Sequence, residues 1–169
     1  MHQSSDKSPI PNAAIELDPQ NNGSIVRKAF LVESIFNLLS FPLITNTSTV
    51  LSYLLNNPAH INPSLILFAR LFGGIVVGGL TSALWAGLSN TKSGIESRKV
   101  VYLVLGMGEV LLIPILAMEA TEGGSKDAAL SVKACMAMIA CLAPPLLWRA
   151  YVLFIKPEMM GRYRELKCE

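Results

Sequence analysis

Residues 1–23 are polar, hold three prolines and show no sustained hydrophobic period. Such a segment buries too little apolar surface to offset the entropy of ordering it, so a disordered leader is expected there. The pattern then changes. Four apolar stretches follow, over 29–43, 64–88, 100–118 and 128–155. The first runs into Pro42, which lacks a backbone N–H and breaks a helix ladder. It should therefore be kinked or broken, with Asn46-Thr47-Ser48-Thr49 capping a short second piece over 50–55. Pro58 and Pro63 punctuate the start of the second stretch, and Lys156-Pro157 stops the fourth. The last three stretches are each long enough to cross about 30 Å of hydrocarbon at about 1.5 Å per residue. The expected fold is all-α, an integral membrane four-helix bundle with a broken or kinked first span. Its parts would be a leader over 1–28, a four-span domain over 29–155 and a basic tail over 156–169.

Composition agrees. Hydrophobic residues make up 51% of the chain and charged residues 15%, against about 25% charged in ordinary soluble domains; mean hydropathy is +0.46. A cleavable signal peptide would place its apolar region at the very start, whereas here it begins at Ala29, so the first span is expected to stay as an anchor. Lys and Arg flanking short loops are retained on the cytoplasmic side. Ten such residues lie on one side of a four-span layout: Lys7, Arg27, Lys28, Lys92, Arg98, Lys99, Lys156, Arg162, Arg164 and Lys167. The other side has two, Lys126 and Lys133. Both termini should be cytoplasmic, and the endoplasmic reticulum is the default membrane for a multi-pass chain without another address. The net charge of +2 is mild, and no basic stripe is interleaved with aromatics, which excludes nucleic acid as the main partner.

Metal and nucleotide chemistry have no visible foothold. The three cysteines and two histidines form no CxxC, HExxH or HxxxH, and neither GxGxxG nor GxxxxGK[ST] occurs, so no cofactor or metal is expected. The second span carries Gly73, Gly74, Gly78 and Gly79, including GxxxG at Gly74 and Gly78. In lipid such residues let backbones approach closely. A neighbouring helix of the same chain is the simpler partner, and a homo-oligomer through the Gly74/Gly78 seam stays open. Trp85, Tyr102, Trp148 and Tyr151 sit where an interfacial aromatic belt is expected.

Four ionisable residues lie well inside the spans: Glu33, Arg70, Glu109 and Arg149. Each costs about 2.5 to 3.5 kcal/mol near a helix centre, so they should face the bundle interior, water or one another. Counted from the flanking basic residues, Glu33 and Arg149 are both about 8 to 9 Å deep from the same edge and can pair. Glu109 lies near the midplane, and Arg70 comes within about 5 Å of that depth from the opposite edge, so these two can pair as well. Asn37, one turn deeper than Glu33, projects toward the level of Glu109. Two such pairs can simply hold helices in register. They can also form an acid and base set, one carboxyl protonated in the apolar centre and the other ionised nearer water.

A short polar leader, a first span with embedded Glu33 and Asn37 (LVESIFN), Arg70-Leu71-Phe72-Gly73 early in span two, Gly106-Met107-Gly108-Glu109 in mid-span three and a basic tail form one layout. It resembles the small four-span membrane proteins of fungal natural-product gene clusters. The resemblance implies epoxide opening, either hydrolysis of polyketide epoxides or cyclisation of terpenoid epoxides, by membrane-embedded carboxylates. By position these are Glu33 and Glu109, with Arg70, Arg149 and Asn37 orienting them. The implied partners are a hydrophobic small molecule and the bilayer. A small-molecule transporter, a metabolite-binding membrane protein or a non-catalytic scaffold would use the same charges differently.

Overall fold

The computed structural model describes residues 15–122 and 128–165. Four helices in it are long and apolar enough to cross a membrane: Ser24–Thr45, Pro63–Ala86, Lys92–Glu122 and Val132–Ile155, hereafter spans one to four. The chain is an all-α four-helix membrane bundle. Its surface fits that solvent, since Phe36, Phe68 and Leu147 are each more than three-fifths exposed, an outward face suited to lipid tails rather than water.

Span one is broken as expected, just ahead of Pro42. After Leu38 the ladder tightens, Ser40 N donating to Asn37 O and Phe41 N to Leu38 O, both at 3.0 Å. Pro42 then opens a new turn at a position where its missing N–H costs nothing. A further helix, Thr47–Leu54, continues toward the far face. It starts earlier than its apolar residues suggested, without a side-chain cap bond from Asn46, and the Thr47 hydroxyl bonds back to Leu43 O at 2.8 Å.

Capping sets the other boundaries. Asn62 Oδ1 accepts from Leu65 N at 3.0 Å and starts span two with Pro63 in its first turn. Over Ile75–Leu80, around Gly78-Gly79, that helix widens into π-type turns. Span three begins at Lys92 rather than near residue 100, so its polar first turns extend the helix beyond the apolar stretch. Span four begins at Val132 rather than at 128, with Ser131 Oγ accepting from Ala134 N at 3.2 Å. Residues 128–131 instead run beside the end of helix Thr47–Leu54, where Ser131 N donates to Leu54 O and Asn56 N to Ala129 O.

The leader departs further from expectation. Residues 1–14 lie outside the described residues, but Ile15–Leu17 (β1) pairs antiparallel with Tyr163–Glu165 (β2), Glu16 opposite Arg164. Asp18 N donates to Arg162 O and Arg162 N to Asn21 O, extending the ribbon toward Gly23. The disorder expected over 15–23 is thus corrected: partners in the tail satisfy its backbone. Tyr163 ties the ribbon to span three through its hydroxyl, which donates to Glu96 Oε1 at 2.6 Å. Both ends of the described chain therefore leave the bundle on one face, the near face.

Arg98, read from sequence as a flanking cation, is fully buried there. Its guanidinium donates to Gly87 O, Ser89 O, Asn90 Oδ1 and Met160 O, joining the end of span two, the following turn and the tail. Gly23 turns beside it with φ +70°, and a Cβ added there would collide with Arg98 Nη1. Val26, Phe30, Leu84, Val101, Tyr102 and Val152 pack beneath this clamp as the main core. A smaller cluster of Leu51, Leu55 and Ala69 lies toward the far face. Span two's glycine seam finds no neighbour among the described residues at Gly74, Gly78 or Gly79, where an added Cβ would meet open space. Among these glycines only Gly73 is covered, by Leu43 and Ile44 of span one.

Candidate functional site

Apart from Arg98 at the near face, three charged side chains lie in the interior, Glu33 from span one, Glu109 from span three and Arg149 from span four. On span one, Val26, Phe30, Glu33 and Asn37 recur at helical spacing. The first two are core residues, so Glu33 is carried inward with them. On span three, Tyr102, Gly106 and Glu109 share a face in the same way, and Gly106 lies alongside the Arg149 stem, an added Cβ standing 4.0 Å from Arg149 Cδ in ordinary contact.

Arg149 meets both carboxylates. Its Nη2 lies 2.6 Å from Glu33 Oε2, and its Nη1 donates to Glu109 Oε1. Arg149 is 4% and Glu109 6% exposed, while the Glu33 side chain, at 15%, lies nearer the outside. Tyr102 closes the near side. Its ring stands edge to face with Phe30 at 4.9 Å, the Arg149 guanidinium lies 5.8 Å from its centroid, and its hydroxyl accepts from Trp148 Nε1 at 2.8 Å. Among the described residues, Glu109 Oε2 and Arg149 Nε are buried polar side-chain atoms without hydrogen-bond partners.

The Glu33–Arg149 pair is found as the depth count predicted; the Arg70–Glu109 pair is not. Glu109 bonds Arg149, and Arg70 instead donates from Nε to Thr47 Oγ1 at 3.2 Å. The direction of the side chains explains it. A helical Cα–Cβ bond tilts toward the N-terminus of its helix. Span four starts at the far face, so Arg149 leans deeper than its Cα, toward Glu109. Span two also starts at the far face, so Arg70 leans away from the midplane. Asn37 is half-buried one turn beyond Glu33. Tyr102, expected in an interfacial belt, is fully buried, whereas Trp85 and Tyr151 do face outward. The signal that marks Tyr102 is its seven-residue spacing from Glu109, two helical turns on one face.

With both carboxyls ionised the trio carries one surplus negative charge in an apolar interior, where isolated charge is costly. Among the described residues no three His, Cys, Asp or Glu side chains come together as a metal site. No family model, curated protein or solved structure matches this chain.

Proposed function

We propose that this chain is an intramembrane enzyme that opens an epoxide of a hydrophobic polyketide or terpenoid, by hydrolysis or by cyclisation, with Glu33 and Glu109 as its base and acid. The observation that carries the reading is the unpartnered, buried Oε2 of Glu109 on a carboxyl whose other oxygen is held by Arg149. A carboxyl fixed in this way presents its free oxygen, and a proton on it, in one direction. The resemblance of the sequence layout to the fungal four-span proteins points to the same chemistry.

In this mechanism the Oε2 proton of Glu109 passes to the epoxide oxygen as the carbon–oxygen bond breaks. In hydrolysis a water oxygen bonds to the exposed carbon and gives its proton to Glu33. In cyclisation a double bond of the same substrate attacks, and Glu33 takes the proton released at the end. Both carboxyls sit on one guanidinium, so the proton returns from Glu33 to Glu109 over a short path. Arg149 positions the pair, and Tyr102 with Phe30 excludes water from the near side.

The test feeds an epoxide substrate to membranes holding the full chain. Glu109→Gln should lower turnover by roughly 10² to 10⁴, and Glu33→Gln similarly, while both proteins accumulate in the membrane. Full turnover in Glu109→Gln overturns the reading, as does uptake of an unchanged solute by reconstituted vesicles. We also propose that the near face lies on the cytoplasmic side of the endoplasmic reticulum membrane, on the ten-to-two distribution of basic residues. Tags at both ends should be accessible to protease from the cytoplasmic side of sealed microsomes.

A further inference from the structure

Arg70 is an exposed cation inside an apolar helix, and the proposed chemistry does not use it. It lies seven residues into span two, about 10 Å from the Pro63 end at 1.5 Å per residue. Its flank is hydrocarbon-facing: Leu67, Phe68, Leu71 and Phe72 are all more than half exposed. Thr47, itself buried, donates its hydroxyl to Leu43 O and accepts from Arg70 Nε at 3.2 Å. The hydroxyl thus fixes one edge of the guanidinium of this exposed residue, which has no carboxylate partner among the described residues. Of the far-face carboxylates, Glu119 is taken by Leu130 N at 2.9 Å.

A guanidinium left in that position needs an anion that can reach it. The tilt of the Cα–Cβ bond aims Arg70 toward the N-terminal end of span two, which is the headgroup level of the far leaflet. Its apolar stem lies along the helix while the charged end rises toward the interface. The anion available at that height, beside a wall of exposed Leu and Phe, is a phosphodiester with acyl chains attached. Gly74, one turn deeper, leaves open space at the helix surface, against which such a chain can lie.

We infer that Arg70, held by Thr47, binds the phosphate of a phospholipid from the leaflet at the Pro63 end of span two. The planar fork of the guanidinium suits two phosphate oxygens at once. This site is separate from the Glu33–Arg149–Glu109 cluster and does not depend on the chemistry proposed there.

The test takes the full chain in a maltoside detergent, which carries no phosphate, and adds phosphatidylglycerol or diacylglycerol with the same acyl chains. Bound lipid is counted by native mass spectrometry. The wild type should retain phosphatidylglycerol and not diacylglycerol, and Arg70→Gln should weaken retention about tenfold. Arg70→Lys, which keeps the charge and loses the fork, should fall between them and serves if the glutamine variant fails to fold. Millimolar inorganic phosphate should leave the lipid in place. Equal retention by wild type and variants overturns the assignment. So does displacement by inorganic phosphate, which would mark a free-oxyanion site. A shift from dimer to monomer in Arg70→Gln with lipid retention unchanged overturns it too, because the guanidinium would then face a second copy.

Discussion

Arg149 and Glu33 meet at 2.6 Å across 116 residues of sequence, joining the last span to the first. Because the same guanidinium also holds Glu109, three of the four spans converge on one positive charge. Removing it leaves two buried carboxyls without their partner. Arg149→Leu should therefore lower unfolding free energy by about 3 to 5 kcal/mol. Adding Glu33→Gln and Glu109→Gln to that variant should return most of the loss. Denaturant unfolding in detergent micelles, followed by helix content, checks both; a triple variant no more stable than the single one would contradict the account.

Tyr102→Phe keeps the ring that packs on Phe30 and removes only the oxygen that accepts from Trp148. An indole N–H deprived of its partner in a half-buried place costs about 1 to 3 kcal/mol. Only Trp85 and Trp148 are present, so the change should be visible in fluorescence. The expected outcome is altered emission from the Trp148 component, with the Trp85 component, exposed on span two, unchanged in a Trp148→Phe background.

Gly23 and Arg98 can be tested together. Gly23→Ala puts a methyl group into the Arg98 guanidinium at a positive φ, a conformation that costs other residues about 1 to 3 kcal/mol. Proteolysis of the ribbon formed by β1 and β2 should become faster, while the four spans stay protected. An equally strong effect inside the spans would show that the clamp supports the whole bundle rather than its near face.

Asp18 makes the ribbon acid-sensitive. Its carboxyl accepts from Asn21 Nδ2 and from Gln20 N, and these bonds hold its pKa below the ordinary 3.8. A group whose folded pKa is depressed stabilises above its unfolded value and loses that contribution as pH falls through the folded one. Amide protection of the turn over 18–21 should therefore be full above about pH 4 and decline below it. In Asp18→Asn the decline should disappear.

The four crossings and the broken first span were legible because apolar stretches of membrane length are a strong, local signal. Glu33 and Arg149 could be matched by counting residues from neighbouring edges. Glu109 could not, because its partner is set by the direction in which Arg149 leans and not by the height of its Cα. Arg98 looked like an ordinary flanking cation: what buries it is the return of Met160 from the tail, a contact no local pattern announces. The β1 and β2 strands are three residues each, too short to show alternation. Tyr102 carries the same residue type as a headgroup anchor, and only its register with Glu109 tells the two roles apart.

The pairing of β1 with β2 has a consequence for biogenesis. Strand β1, near the start of the chain, has to wait for β2, near its end, so the clasp shuts only after the fourth helix is seated. A chain terminated ahead of Met160 would keep its helices but strand the Arg98 guanidinium short of one carbonyl. Completion of synthesis is thereby written into the near face as a closed or an open latch.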